Sequence, residues 1–99
     1  MPVAGQLVAF AQERVTVGAS SIGLTIATFL ATPPAKVALI SVESAQTRWL
    51  DDSTAPTSST GHVANPTDTL TLDSLQRISN FRAIRTGSTS ATLQVTYYR

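Results

Sequence analysis

ATLQVTYY, the sequence of residues Ala91–Tyr98, alternates between two kinds of side chain along its whole length. Successive residues of a β-strand point to opposite faces of the sheet, so strict alternation predicts a strand with one buried face. The face predicted to be buried carries Ala91, Leu93, Val95 and Tyr97, and the other carries Thr92, Gln94, Thr96 and Tyr98. The C-terminal segment is therefore predicted to be a half-buried strand.

Further strand candidates follow one another at intervals of about ten residues. They are the runs Arg14–Val17, Ile22–Thr28, Lys36–Val42, Gln46–Leu50, Thr67–Leu72 and Asn80–Arg85. Strands at this spacing predict an all-β fold, a jelly-roll-like antiparallel β-sandwich of about seven or eight short strands. The turn-rich residues 86–90 predict that the last two strands form a hairpin.

Two segments have patterns compatible with a helix, and both are too short to organise the fold. Val3–Glu13 carries spaced apolar residues. In Leu72–Ile78, either Asp73 or Ser74 is a suitable cap for a single helical turn.

The sandwich pattern is complete from Arg14 onward. We therefore expect residues 1–13 to be an N-terminal arm or edge segment, and residues 14–99 to be a single β-sandwich domain. An apolar arm needs cover from a neighbouring subunit, which makes Val3, Leu7, Val8 and Phe10 candidate interface residues. The alternative is an ordinary first strand that pairs within its own chain.

Lys36–Val42 is apolar on both faces. Such a strand either lies at the centre of a sheet that is covered on each side, or lies at an edge that a partner chain covers. In the second case Ile40 and Val42 join the interface, and the complete predicted interface is Val3, Leu7, Val8, Phe10, Ile40 and Val42. This interface predicts a homo-oligomer.

The composition also favours assembly. Charged residues make up 13% of the chain and the net charge is +1, whereas soluble domains are about 25% charged. A surface with so little charge provides little repulsion between molecules, so much of it is expected to be covered by neighbours. The other explanation is that threonine simply suits exposed strand faces.

We find no residue pattern that predicts catalysis or a cofactor site. There is no cysteine, so the chain has no thiolate metal site and no cysteine nucleophile. His62 is the only histidine, so a catalytic triad could be built around that residue alone. Asp51 and Asp52 are suitable ligands for a hard cation, but the alternating acidic residues of a calcium loop do not follow them. An Asp pair after a strand more often starts a turn.

Two binding functions have limited support. Trp49 beside Asp51 and Asp52 has the composition of a sugar platform, although a tryptophan at a strand end is as easily read as core. Basic residues near aromatic ones are typical of surfaces that bind single-stranded nucleic acid. Near Tyr97 and Tyr98 the sequence has Arg77, Arg82, Arg85 and Arg99. The near-zero net charge argues against nucleic acid as a partner.

A membrane partner is not expected either. The apolar segment Ile22–Leu30 is far shorter than the ~20 residues that span a bilayer. The N-terminal sequence MPVAG has neither the cationic start nor the apolar run of a secretory signal. Synthesis in a cytoplasm is therefore expected.

Several segments together resemble small virion structural proteins of tailed bacteriophages. They are Val37–Glu43, Arg48–Asp52, Ala55–Thr57, Gly61-His62, Asn80–Gly87 and Ser90–Tyr98. The resemblance covers roughly the last two-thirds of the chain, and Ser53 departs from it, since that loop usually has Gly there. It implies a β-sandwich building block that is repeated by symmetry and bound to the shell, neck or tail, with no catalytic residue and no cofactor.

We therefore expect a non-enzymatic capsid decoration or cement protein that oligomerises, with a trimer favoured. Its partners would be the phage major capsid protein or other virion subunits, and its location the virion, after synthesis in the bacterial cytoplasm. The alternatives are a tail, baseplate or head-fibre module, or a carbohydrate-binding adhesin module.

Three residues of the motif have an expected structural role at the loop that follows the fourth strand candidate. Arg48 is close enough in sequence to pair with Asp51 and Asp52, or to donate hydrogen bonds to loop carbonyls. Either contact would fix how the loop at residues 53–61 leaves the sheet, and Gly61 would let the chain turn back.

Overall fold

A computed structural model describes residues 7–99, which form two packed sheets and two short helices. The strands are β1 (Ala9–Val17), β2 (Ile22–Gly23), β3 (Val37–Glu43), β4 (Thr47–Leu50), β5 (His62–Ala64), β6 (Thr69–Leu72), β7 (Arg82–Arg85) and β8 (Ala91–Tyr98). The helices are α1 (Ile26–Phe29) and α2 (Leu75–Asn80). The prediction of an all-β sandwich is confirmed.

The strand order is that of a jelly roll. The first sheet has the order β1-β8-β3-β6 and the second has the order β2-β7-β4-β5. All pairs are antiparallel, and β1 pairs with β8, β2 with β7, β3 with β6 and β4 with β5. The first half of the chain is thus wrapped against the second half, as in a double Greek key.

Strand β8 lies inside the first sheet, between β1 and β3. Its alternate residues Leu93 and Val95 are buried, whereas Gln94 and Thr96 are half-buried on the outer face. The bounds and the buried face of this strand both agree with the alternation in its sequence. Contact with two neighbouring strands explains why even its outer face is not fully exposed.

The core fills the space between the two inner faces. Its largest fully buried side chains are Tyr97, Phe29, Phe81, Ile40, Leu72, Ile78, Leu93, Val17, Val42 and Val95. Phe29 comes from α1 and Ile78 from α2, so each short helix adds a side chain to the core. Each helix therefore adds to the core, while the two sheets form most of it.

The predicted C-terminal hairpin is wrong. Strand β7 pairs with β2 and β4 in the second sheet, while β8 belongs to the first sheet. Residues 86–90 cross from one sheet to the other, and the Thr86 N–H donates to the Gln46 carbonyl at 3.3 Å. Five residues are long enough to span the roughly 10 Å between packed sheets, so a turn-rich connector does not require a hairpin.

The first strand begins earlier than predicted. β1 starts at Ala9, and the pairing continues outward, because Val8 and Arg99 exchange two backbone hydrogen bonds of 3.0 Å. The described residues of the N-terminal segment thus belong to an edge strand of their own sheet, which is the second of the two alternatives expected for residues 1–13, and the helix expected over Val3–Glu13 is wrong in its described part. Val3 lies outside the described residues.

The prediction that Ile40 and Val42 on strand β3 belong to an interface is wrong. It lies between β8 and β6, and Ile40 and Val42 are 0% and 1% exposed in the core of their own chain. A partner has no access to them in this fold. Of the two explanations for the apolar segment Lys36–Val42, the structure shows the central strand.

The segment Ile22–Thr28 is mostly not a strand. Only Ile22 and Gly23 pair with β7, and the chain then turns into α1. The second helix agrees with expectation, because the Ser74 Oγ caps α2 by accepting a hydrogen bond from the Arg77 N–H at 3.2 Å. Strand β5 was not predicted.

A buried tyrosine ties α1 to the first sheet. The Tyr97 hydroxyl donates to Glu13 Oε2 at 2.5 Å, and Thr25 donates to the same carboxylate from its N–H and its hydroxyl. Burial raises the pKa of Tyr97 above its ordinary value, and the hydrogen bond to Glu13 raises it further. Tyr97 therefore stays protonated and able to donate at neutral pH.

Candidate functional site

The predicted site residues Arg48, Asp51 and Asp52 lie at the loop between β4 and β5, residues 51–61, and all three make side-chain hydrogen bonds there. Arg48 lies on β4 with its side chain half-buried. Its Nε donates to the Ser58 carbonyl at 3.1 Å, and its Nη1 donates to the Gly61 carbonyl at 2.8 Å. Of the two contacts considered for Arg48, the structure shows hydrogen bonds to the loop carbonyls.

Gly61 completes this turn for a steric reason. Its φ is +124°, in a region that side chains other than glycine rarely adopt. A Cβ at this position would lie 3.2 Å from the Trp49 carbonyl oxygen and 3.2 Å from the Pro56 Cβ. The return of the loop to β5 therefore requires glycine.

Asp51 and Asp52 have separate partners. Asp51 Oδ2 accepts a hydrogen bond from Arg77 Nε at 2.6 Å, and Arg77 Nη1 also donates to Asp73 at 3.0 Å. The hydrogen bonds that Arg77 donates to these carboxylates, first to Asp51 and then to Asp73, raise the pKa of Arg77. Asp52 starts a local turn by accepting from the Thr54 N–H at 3.0 Å. Sequence reasoning missed Arg77 because it follows Asp51 by 26 residues.

Trp49 is half-buried at the end of the core. Its ring stacks on Phe81 with centroids 5.9 Å apart and packs on His62 with centroids 5.1 Å apart. The indole is thus used for packing, and Asp51, one of the two carboxylates that would bind sugar hydroxyls, is paired with Arg77. The elements expected for a sugar platform are not arranged as one.

The arginines considered for nucleic-acid binding do not converge. Arg77 is paired on α2, whereas Arg82 donates to Ser21 and Arg85 donates to Ser90. Arg99 lies in the other sheet, with its guanidinium carbon 4.2 Å from the centroid of the Phe10 ring. Tyr97 is fully buried. These side chains form no shared basic surface.

Metal-binding clusters are also absent from the described part of the chain. Within residues 7–99, no group of three or more histidine, cysteine, aspartate or glutamate side chains is arranged to hold an ion. Over the same residues, no helix is both long enough and apolar enough to cross a bilayer.

Exposed apolar side chains are the other candidate contact residues. Leu7 and Val8 are 42% and 59% exposed, so these two predicted interface residues are accessible, while Phe10 is half-buried beneath Arg99. The remaining large exposed apolar residues among those described are Ile22, Ile26, Leu30 and Val63. Sequence reasoning missed Ile26 because Ile22–Thr28 was predicted to be a strand. Ile26 and Leu30 are four residues apart, the spacing of a helix face.

No protein-family model matches the chain, and neither does any curated protein or any solved structure.

The loop contacts of Arg48 lead to a prediction. Arg48→Met keeps most of the stem but removes both hydrogen bonds, so we expect the free energy of unfolding to fall by about 1–3 kcal/mol. Limited proteolysis should also cut within residues 53–60 faster than in the wild type. Urea denaturation and mass spectrometry of the fragments measure the two effects.

Arg14→Met is the matched control, because Arg14 is exposed on β1. It should change the stability by no more than about 0.5 kcal/mol. Equal stability and equal cleavage rates in the two variants would show that Arg48 does not hold the loop.

Proposed function

We propose that this chain is a non-enzymatic structural protein of a bacteriophage virion. The most specific form of the proposal is a decoration or cement protein that oligomerises, with a trimer favoured, and binds across seams between major capsid subunits. The observation that carries it is the eight-stranded jelly-roll order, β1-β8-β3-β6 over β2-β7-β4-β5. Viral capsid domains are among the proteins built in this way.

The surface supports the same proposal. A charged fraction of 13% and exposed apolar side chains such as Ile26 suit a molecule that is covered on several sides in an assembly. The resemblance to phage virion proteins supplies the biological setting. The anchored loop at residues 51–61 would present a rigid shape to a neighbour, because Arg48, Gly61 and Asp51 hold it at both ends.

Lectins also use jelly rolls. We do not favour a carbohydrate-binding function, because Trp49 packs on Phe81 and Asp51 is paired with Arg77. A tail, baseplate or head-fibre position shares the proposed class and differs only in the neighbouring protein.

The test is cross-linking mass spectrometry on virions of the phage that encodes the chain. We expect the protein in many copies per particle, with carboxylate-to-amine cross-links from Asp52 or Lys36 to the major capsid protein. Cross-links to tail or fibre subunits would place it there instead. Absence of the protein from purified virions would refute the proposal.

Add-back provides an independent measurement. Shells that lack the protein should resist heat or low ionic strength better after the purified protein is added. The control is shells with no protein added, and equal resistance with and without the protein would contradict the cement role.

A further inference from the structure

A groove with mainly apolar walls lies where the connection from α1 to β3 meets the start of α2. The connection lines it with Pro33, Pro34, Ala35 and Lys36, and the start of α2 lines it with Leu75 and the two residues before it. We call it the proline groove and define it by these five named residues. Its volume is about 390 Å³, within the range of roughly 300–1,000 Å³ that is usual for ligand pockets.

Sheet pairing brings the two sides of the proline groove together. Strands β3 and β6 are antiparallel neighbours, and Ala38 lies opposite Leu72. The residues that precede β3 therefore meet the residues that follow β6 at one end of the sheet. The groove is thus a continuous feature of two adjacent segments that are far apart in the sequence.

Backbone hydrogen bonds fix the side formed by the connection. The Ala35 N–H donates to the Phe29 carbonyl at 2.8 Å, and the Lys36 N–H donates to the Tyr98 carbonyl at 2.8 Å. Ala35 is also the most buried of the lining residues, at 1% exposed. Proline side chains lose almost no conformational entropy when they are covered. This side is therefore ordered before any partner arrives, which lowers the cost of binding.

The side formed by α2 is fixed by side chains. The Ser74 Oγ caps α2 by accepting from the Arg77 N–H at 3.2 Å. Asp73 accepts from Arg77 Nη1 at 3.0 Å, and Leu75 is half-buried against the core. Both sides of the proline groove are thus preformed.

The charges around the groove are three cations and two carboxylates. Arg77 is paired with both carboxylates, those of Asp51 and Asp73, and Arg99 donates to a carbonyl of the connection. Lys36 is exposed, lines the groove and makes no ion pair with any residue in the described range 7–99. The surroundings therefore favour an anion, and Lys36 is the cation available to pair with it.

The shape of the groove favours a protein as its occupant. Pro33, Pro34 and Lys36 are exposed, so the groove is open and covers only one side of whatever binds. A free small molecule buries most of its surface in a good site, which an open groove does not provide. A side chain carried by a protein is held by the rest of its interface as well.

We propose that the proline groove binds an apolar side chain that lies next to an acidic residue on a protein partner. The apolar side chain packs on Pro33, Pro34 and Leu75, and the carboxylate pairs with Lys36. The proposed function supplies only the identity of the partner, a neighbouring virion protein, because the recognition itself is measured on the purified chain.

Nuclear magnetic resonance titration with blocked dipeptides tests the proposal. N-acetyl-Phe-Glu-amide should shift the backbone amide signals of Ala35, Lys36 and Leu75 and approach saturation at millimolar concentrations. Replacing the Glu of this probe by Gln should weaken binding about three- to fivefold, the effect of losing one exposed ion pair. Replacing its Phe by Ser should weaken binding at least as much, because the apolar contact is lost.

Variants of Lys36 provide the matching change on the protein. Lys36→Gln should weaken binding of the Phe-Glu probe by the same factor, and Lys36→Glu should reverse the preference, so that N-acetyl-Phe-Lys-amide binds more tightly than the Phe-Glu probe. Arg14→Gln is the matched control. It makes the same change in net charge at an exposed position of β1, and it should bind the probes like the wild type.

The proposal is overturned if the Phe-Glu probe leaves the signals of Ala35 and Leu75 unchanged, or if Arg14→Gln weakens binding as much as Lys36→Gln. A chain that is present in virions but does not bind the probe would refute the groove and leave the virion role standing. A chain that binds the probe through Lys36 but is missing from virions would do the reverse.

Discussion

Tyr97→Ala should lower the free energy of unfolding by about 3–5 kcal/mol, as for other large aromatic residues removed from a core. Tyr97 is 0% exposed and packs between Phe10 and Phe29. The substitution leaves a cavity and also removes the hydrogen bond that holds Glu13. Since a domain of this size is stable by only about 5–15 kcal/mol, the variant should be close to unfolding at 37 °C. Chemical denaturation monitored by circular dichroism measures the loss.

Tyr97→Phe separates the two contributions. It keeps the ring and removes only the hydroxyl, so the expected cost is about 1–2 kcal/mol. A cost as large as that of Tyr97→Ala would mean that the hydrogen bond to Glu13, rather than packing, dominates. Negligible cost in both variants would contradict the placement of Tyr97 in the core.

Leu93→Ala should cost about 2–5 kcal/mol. Leu93 is 1% exposed on the inner face of β8, opposite Val15 on β1 and Val42 on β3. Neighbouring strands hold the backbone on both sides, so the site cannot collapse easily around the missing methyl groups. Urea denaturation gives the change in stability.

Thr96→Ala is the control on the same strand. Thr96 lies on the outer face, half-buried between Gln12 and Leu39, and its loss should stay within about 1 kcal/mol. Equal losses at Leu93 and Thr96 would show that the outer face of the first sheet is as important for stability as the core.

Local patterns predicted the features that depend on neighbours within a few residues. The alternation in Ala91–Tyr98 defines which side chains share a face, because the period of two is a property of the extended backbone. The Ser74 cap is equally local, since its hydroxyl reaches an N–H three residues later. For the same reason the all-β class followed from the spacing of short strands.

Contacts between segments that are far apart in the sequence could not be predicted from these local patterns. Whether β7 pairs with β8 or crosses to the other sheet depends on burying two inner faces against each other, and a five-residue connector allows both. Asp51 has several arginines available in the sequence, and only the folded chain brings Arg77 to it. Ile40 and Ile26 are both apolar residues in segments that resemble strands. One is buried and the other is exposed because β3 lies between two strands while α1 covers an open side, and that difference arises only when the whole jelly roll has closed.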